Sequence, residues 1–330
     1  MRRIKHRFSA CCLVIWLAAA MGCTALVQSR RARAPVIRTD QFVIVTTQNG
    51  DTLPDLARTY LNDVSQWPRI AAYNHIDTVS AGQRLVIPLK PTVPGGLSAD
   101  GYQTVPVLLY THIKRKPDTS KEVSETAFER QMQYLKAAGF VTISLDQFYD
   151  FLQLAGQLTD HAVIVSFESA DRWVFDIGFP ILQRHRLRAA LFVPVDQIDQ
   201  PGKLTWNELS QMAAGGIDIG VLGKRIVLTP GKDPDKHWSD LEREIVAAKK
   251  AIELNLHPVG HYFAYPDGNP DDLTVALLKK HGFRLGFTRQ RGGNPFFVHN
   301  FNIRRTLITG SSGMPQFQKN LMTFRKARFK

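Results

Sequence analysis

The sequence predicts an α/β protein, with a large domain on a parallel sheet that is closed or nearly closed and a small α+β unit before it. From residue 104 onward, β-branched segments alternate with amphipathic helical segments, a pattern typical of parallel sheets. Residues 162–168 form an apolar run that ends in a carboxylate, as expected of a strand buried on both faces. About fifty residues upstream of this domain are patterned as strand, helix, helix and strand.

The N-terminus predicts export. Residues 1–22 combine a basic start with an apolar stretch from Ala10 to Met21, which is too short for a permanent membrane helix. The segment that ends in Cys23 resembles the bacterial lipobox, which implies that Cys23 is lipidated and becomes the mature N-terminus. An ordinary signal peptide or an uncleaved anchor are the alternatives. We expect a lipid-anchored cell-envelope protein, on the periplasmic side of the outer membrane in a Gram-negative cell, with residues 23–40 as a tether.

Composition narrows the chemistry. All three cysteines (Cys11, Cys12 and Cys23) lie at the N-terminus, so the mature domains can form neither disulfides nor thiolate metal sites. The formal charge is +13, and removing the four basic residues of the first 22 leaves about +9. This charge favours anionic envelope partners, and export makes nucleic acid an unexpected one.

Residues 41–90 predict the small unit. Thr52 is expected to cap its first helix, with Asp55 in the capping-box position. Leu53, Leu56, Ala57 and Tyr60 recur at helical spacing and predict one apolar face. A second helix is expected over residues 67–73, with strands over 42–45 and 85–87.

This unit resembles the LysM domain along its whole length, and the residues that carry the resemblance include Gly50, Leu53, Trp67, Gly82 and Pro88. The resemblance implies binding of N-acetylglucosamine-containing glycans such as peptidoglycan. It also implies the glycan-contacting residues Gly50, Asp51, Thr52, Leu53, Asn74 and Ile76. Asp51 and Thr52 are expected to cap the helix as well. Helical spacing predicts that Tyr60 and Trp67 lie in the core rather than stack on sugars.

Residues 91–103 are rich in Pro and Gly and predict a linker to a domain over residues 104–330. Within that domain, strands are expected over 105–110, 140–145, 162–168, 189–194, 217–222, 261–266, 285–288 and near 302–308. Helices are expected after Ser124, from Asp146, ending near His185, over 206–214, 239–255 and 271–281, and at the C-terminus.

The stretch from Val163 to Ala170, together with residues 171–182 and 189–193, resembles the polysaccharide deacetylases. The resemblance implies a distorted (β/α) barrel with fewer than eight repeats. It also implies hydrolysis of an N-acetyl group by a divalent metal bound by one Asp and two His, with a carboxylate as base. Members usually carry Phe-Asp-Asp-Gly where this chain has Phe167-Glu168-Ser169-Ala170.

The implied ligand positions are altered. Glu168 occupies the position of the base and Ser169 that of the metal-binding Asp, while Leu222 and Ile226 stand where the two histidines are expected. A hydroxyl and two hydrocarbons are poor zinc ligands, so we expect no metal cofactor. A third motif survives over residues 263–268, with Asp267 in place of a Tyr.

The main hypothesis is therefore an envelope lipoprotein that binds peptidoglycan, or another N-acetylglucosamine-containing polysaccharide, and whose barrel binds glycan or acts as a scaffold. The alternative is an active deacetylase with a rearranged centre at His112, Glu168 and Asp267, which would use a divalent metal such as zinc or a metal-free carboxylate pair. A structural partner in polysaccharide export is a third possibility, without a motif of its own.

Overall fold

The computed structural model describes residues 37–40, 42–89, 95–98, 101–224, 234–256 and 261–327. The predicted signal peptide, Cys23 and Ile226 lie outside these residues. No helix in the described part of the chain is long and apolar enough to cross a membrane.

The small unit has the predicted strand–helix–helix–strand order, preceded by one further short strand at the end of the segment expected to be a tether. Its strands are β1 (Ile37–Arg38), β2 (Phe42–Thr46) and β3 (Arg84–Pro88), its helices are α1 (Leu53–Leu61) and α2 (Trp67–Asn74), and a 3₁₀ turn covers Val64–Gln66. The strands form an antiparallel sheet in the order β1-β2-β3. Its core contains Val43, Val45, Leu53, Leu56, Ala57, Ile70, Leu85 and Ile87.

Local chemistry explains the helix starts in this unit. The Thr52 hydroxyl accepts a hydrogen bond from the Asp55 amide at 3.3 Å and donates to the Asp55 carboxylate at 2.6 Å, so the predicted cap is present. Trp67 begins α2 directly after the 3₁₀ turn and is exposed, so its predicted place in the core is wrong. Tyr60 is half-buried and packs against the core.

Part of the predicted linker is strand. Residues 97–98 form β4 (Leu97–Ser98) and residues 101–103 form β5 (Gly101–Gln103). These strands pair with the C-terminal strand β17 (Phe324–Lys326), in the order β17-β5-β4. Sequence composition misses this pairing because the partner strand is more than 200 residues away.

The large domain follows the predicted alternation. Its other strands are β6 (Val105–Tyr110), β7 (Ile113–Lys114), β8 (Val123–Ser124), β9 (Val141–Thr142), β10 (Ala162–Glu168), β11 (Ala189–Val193), β12 (Ile217–Leu222), β13 (Tyr262–Ala264), β14 (Leu285–Phe287), β15 (Gly293–Asn294) and β16 (Thr306–Leu307). Its helices are α3 (Glu125–Ala137), α4 (Leu145–Leu152), α5 (Phe179–His185), α6 (Trp206–Ala214), α7 (Pro234–Leu256), α8 (Asp272–Lys280) and α9 (Met314–Lys319). A π-helical turn over Val174–Gly178 precedes α5, and a 3₁₀ turn covers Val195–Gln197.

The main sheet runs in the order β14-β13-β12-β11-β10-β6, with all neighbours parallel. The segment after β15 joins its two edges, because Ile303 bridges to Phe287 of β14 and β16 pairs with β6. The fold is therefore a curled (β/α) barrel with few repeats, as predicted. The strand expected over 302–308 is reduced to two residues because it serves both edges in turn.

The sheet separates two apolar layers. In β10, Val163, Val165 and Phe167 point outward and pack under the helices, whereas Ile164 points into the barrel. Ser166 and Glu168 share the inward face because side chains alternate along a strand. Glu168 is the last residue of β10, so its carboxylate lies inside the barrel mouth at the carboxyl ends of the parallel strands.

Candidate functional site

Glu168 is the centre of the site, and two arginines occupy both of its oxygens. Its side chain is 1% exposed. Arg289 donates to Oε2 from Nε at 3.0 Å and from Nη2 at 2.5 Å. Arg305 donates to Oε1 from Nη2. Three hydrogen bonds from two guanidinium groups occupy most of the lone pairs of this carboxylate and leave it little room for a water molecule or another ligand.

Arg305 is buried inside the barrel. Its side chain is fully shielded from solvent, and its guanidinium lies 5.3 Å from the ring of Phe192 and 5.8 Å from that of Phe287. Nε donates to the Thr288 carbonyl at 2.7 Å. Burial lowers the pKa of Arg305, and the negative charge of Glu168 opposes that shift. The pair therefore compensates a buried cation with a buried anion.

Ser169, at the position of the metal-binding carboxylate, has a local structural role. Its hydroxyl accepts a hydrogen bond from the Asp171 amide at 2.9 Å. Asp171 in turn pairs with Lys203 at 2.6 Å. Burial would raise the pKa of the Asp171 carboxyl, but Lys203, Ser169 and the nearby His112 outweigh it and hold that pKa below its ordinary value.

The remaining predicted residues are dispersed around this centre. The His112 ring lies 6.0 Å from the ring of Trp173 and is electrostatically coupled to Asp171. Asp267 is exposed, on the turn that ends in Gly268. The structure thus joins Glu168 to two arginines, and within the described part of the chain Glu168 forms no hydrogen bond or ion pair with His112 or Asp267.

Leu222, at the end of β12, lies beside an apolar cavity of about 260 Å³ between that strand and α7. Other residues that line this cavity are Val195, Val221, Leu241, Ile245, Ala248 and Phe263. The cavity rim carries an ion pair between Lys224 and Asp196 at 3.3 Å. The Leu222 position therefore presents hydrocarbon where a metal site needs a nitrogen or oxygen ligand.

These residues do not fit the divalent metal that the fold family implies. Both Glu168 oxygens accept hydrogen bonds from arginine, Ser169 offers a neutral hydroxyl that is already hydrogen-bonded, and Leu222 has no donor atom. Two guanidinium groups beside the site would also repel a dication. Among the described residues, no group of three His, Cys, Asp or Glu side chains could hold a metal ion.

The predicted glycan-contacting residues of the small unit fall into two groups, those at the surface around the start of α1 and those that belong to the core. Gly50 is exposed with a φ of +84°, and Thr52 is exposed at the start of α1. Asp51 is half-buried and accepts the Gln48 amide at 2.5 Å. Leu53 is buried in the core of the unit, and Ile76 is partly buried and packs against that core.

Asn74 is engaged by the fold itself. Its amide nitrogen donates to the carbonyls of Ile70 at 2.9 Å and Val86 at 2.7 Å, and its oxygen accepts the Val86 amide at 2.8 Å. The side chain therefore ties α2 to β3, and its hydrogen-bonding groups are mostly used before any glycan arrives.

Sequence reasoning missed Arg289, Arg305, Asp171 and Lys203. One signal could have found the arginines: a carboxylate at the end of a mostly apolar strand is expected to be buried, and pairing with a cation is one of the main ways to compensate a buried carboxylate. Arg289 follows β14, and Arg305 lies in the segment that closes the barrel. The partners of Glu168 are set by barrel closure, which single-sequence patterns do not encode.

Comparison with known proteins agrees with this fold. The family model for polysaccharide deacetylase matches residues 155–286, and the model for the LysM domain matches residues 45–88. A poly-beta-1,6-N-acetyl-D-glucosamine N-deacetylase of Staphylococcus epidermidis is 24% identical, over 58% of this chain and 69% of its own length. A protein of the same name from Staphylococcus aureus is 21% identical, over 61% of this chain and 72% of its own length.

Solved structures resemble the large domain. The Streptococcus pyogenes deacetylase PplD, solved in complex with acetate, superposes with a TM-score of 0.60 at 18% identity and covers 66% of this chain and 98% of its own. The IcaB structure from Ammonifex degensii gives a TM-score of 0.59 at 24% identity and covers 66% of this chain and 97% of its own. At this identity the likeness concerns the fold. The chain carries a LysM domain followed by a domain of the polysaccharide deacetylase family.

Proposed function

We propose that this protein is a lipid-anchored component of a bacterial cell envelope that binds peptidoglycan, or another N-acetylglucosamine-containing polysaccharide, through its LysM domain. Its deacetylase-family barrel acts in glycan binding or scaffolding, without the family's metal-dependent turnover. The observation that carries the proposal is the engagement of Glu168 by Arg289 and Arg305. A base that takes a proton from water needs an accessible lone pair, and three arginine hydrogen bonds together with burial leave Glu168 little access to water.

The comparisons support the glycan class. The staphylococcal relatives are named for a polymer of N-acetylglucosamine, and LysM domains bind glycans that contain the same sugar. Polar groups around the barrel mouth could contact sugar hydroxyls. They are the Lys224–Asp196 ion pair, the Asp171–Lys203 ion pair and the half-buried His112.

Metal content and acetate release together test the loss of turnover. The purified chain is incubated with zinc, cobalt or nickel, dialysed, and assayed on β-1,6-linked N-acetylglucosamine oligomers, with the Staphylococcus epidermidis enzyme as a positive control. We expect no stoichiometric metal and no acetate release. If acetate is released and the release is lost in Glu168→Gln, His112→Ala and Asp267→Asn variants, the rearranged-centre alternative replaces this proposal.

Pelleting with insoluble peptidoglycan tests the LysM role. We expect the chain to pellet and a deletion of residues 41–89 to stay in the supernatant. A chain that still pellets after the deletion contradicts glycan binding by this domain.

Incorporation of radiolabelled palmitate tests the anchor. We expect labelling of the wild-type chain and none of a Cys23→Ser variant. Equal labelling of both chains contradicts the lipidation of Cys23.

A further inference from the structure

A cluster of exposed apolar and basic side chains lies at the end of the barrel opposite the mouth. We call it the amino-end surface and define it by Phe297, Met322, Phe324, Arg325 and Lys326. The three apolar side chains are 60%, 65% and 38% exposed, respectively. Arg325 and Lys326 are exposed as well, on the edge strand β17.

Contacts place these residues together. Phe297 packs edge-to-face on Tyr102, with ring centroids 5.0 Å apart, and Tyr102 pairs with Arg325 across β5 and β17. Met322 is fixed by its carbonyl, which accepts the Thr104 hydroxyl at 3.0 Å.

Their position along the barrel follows from the strand direction. Thr104 immediately precedes β6, and the side-chain Nε2 of Gln103 donates at 2.6 Å to the Thr159 carbonyl, shortly before β10. Both contacts therefore lie at the amino ends of the parallel strands, whereas Glu168 lies at the carboxyl end of β10. The amino-end surface and the mouth face opposite directions.

We propose that the amino-end surface docks onto an anionic phospholipid bilayer. Exposed Phe and Met side chains next to Arg and Lys provide the two attractions that hold proteins at a lipid interface, apolar burial among the acyl chains and attraction to the headgroups. Within the described residues, neither Arg325 nor Lys326 forms an ion pair with a carboxylate, so both charges remain for headgroup phosphates. The sequence continues as Arg328-Phe329-Lys330, which extends the same composition. Docking in this orientation turns the barrel mouth away from the bilayer and toward the cell wall.

The surface acts independently of Cys23 lipidation, and the experiment keeps the two apart. The lipid-free chain from Thr24 onward, which contains every described residue, is sedimented with vesicles of phosphatidylethanolamine and phosphatidylglycerol or with vesicles of phosphatidylcholine. We expect binding to the anionic vesicles that weakens with salt, and little binding to phosphatidylcholine.

Matched variants locate the binding. Because each basic residue near an anionic surface contributes about fivefold, the double variant Arg325→Gln/Lys326→Gln is expected to lower the partition coefficient about 30-fold. The control Lys116→Gln/Lys121→Gln also removes two positive charges, but beyond the carboxyl end of β6. This control is expected to change the partition coefficient less than about threefold.

The apolar contribution is tested in the same way. Phe297→Ser/Met322→Ser is expected to weaken binding at least tenfold, since each side chain buries apolar area in the interface. Leu307→Ser, at a residue that is 44% exposed beside Leu109 near the carboxyl end of β6, is the matched control and is expected to have little effect. Equal binding to both vesicle types, or equal loss in the variants and their controls, overturns the proposal.

Discussion

Replacing Arg305 with Met should destabilise the barrel by about 3 kcal/mol. Met keeps much of the volume between Phe192 and Phe287 but removes the cation that faces Glu168 and the donor to the Thr288 carbonyl. Breaking one side of a buried ion pair costs about 3–5 kcal/mol, because a charge is left uncompensated. Arg289 still holds the other oxygen of Glu168, which places the expected loss at the lower end of that range.

Urea unfolding, followed by far-ultraviolet circular dichroism, measures this loss. The neighbouring variant Arg304→Met, at a half-buried position, is the control and should cost less than about 1 kcal/mol. The double variant Glu168→Gln/Arg305→Met removes both charges and should recover much of the lost stability. If Arg305→Met unfolds at the same urea concentration as the wild type, the buried pair does not stabilise the barrel as inferred.

Three further changes test separate parts of the structure. Burial raises the pKa of the Asp218 carboxyl above 3.8, so the folded state binds more protons than the unfolded state between the unfolded and folded pKa values, and stability falls as pH rises through that window. Asp218→Asn should therefore raise the thermal midpoint at pH 7 relative to wild type, with a smaller gain near pH 3. An equal gain at the two pH values would contradict the inference that burial disfavours the charged carboxylate. Asn74→Ala should destabilise the LysM domain by about 2 kcal/mol in urea unfolding, because it leaves the Val86 amide and carbonyl without their side-chain partner. An unchanged urea midpoint would exclude this structural role of Asn74. Gly268→Ala should cost at least about 1 kcal/mol, since φ is +75° and the added Cβ would collide with Arg289, whereas Gly202→Ala, also at positive φ but with open space, should show the backbone cost alone.

Much of the fold is predictable because the decisive patterns are local. The strand over 162–168 and the helix over 206–214 are found at the expected residues, since an apolar run and a Thr205 cap with Glu208 both act within a few positions. Helix α7 begins at Pro234 rather than at 239, because Pro is well accommodated at a helix start. Strands β4 and β17 were missed, since each is short and depends on a partner that is distant in sequence.

The site is less predictable than the fold. The sequence identifies the altered positions Glu168, Ser169 and Leu222 by their place in the motif. It cannot identify Arg289 and Arg305 as partners of Glu168, because both arise from segments that meet β10 only when the barrel closes. The LysM resemblance implies that Asn74 contacts glycan, and only its three hydrogen bonds reveal its structural use.

The segment that joins the two edges of the sheet also sets the order in which the barrel can be completed. Strand β14 and the part of β6 beyond its pairing with β15 keep unpaired edges until Ile303 and β16 have been synthesised. Unpaired strand edges promote association between chains, so a nascent or truncated molecule that stops before residue 303 is prone to aggregate. Proteolytic trimming of the last residues before folding would thus be far more damaging than the same cut made afterwards.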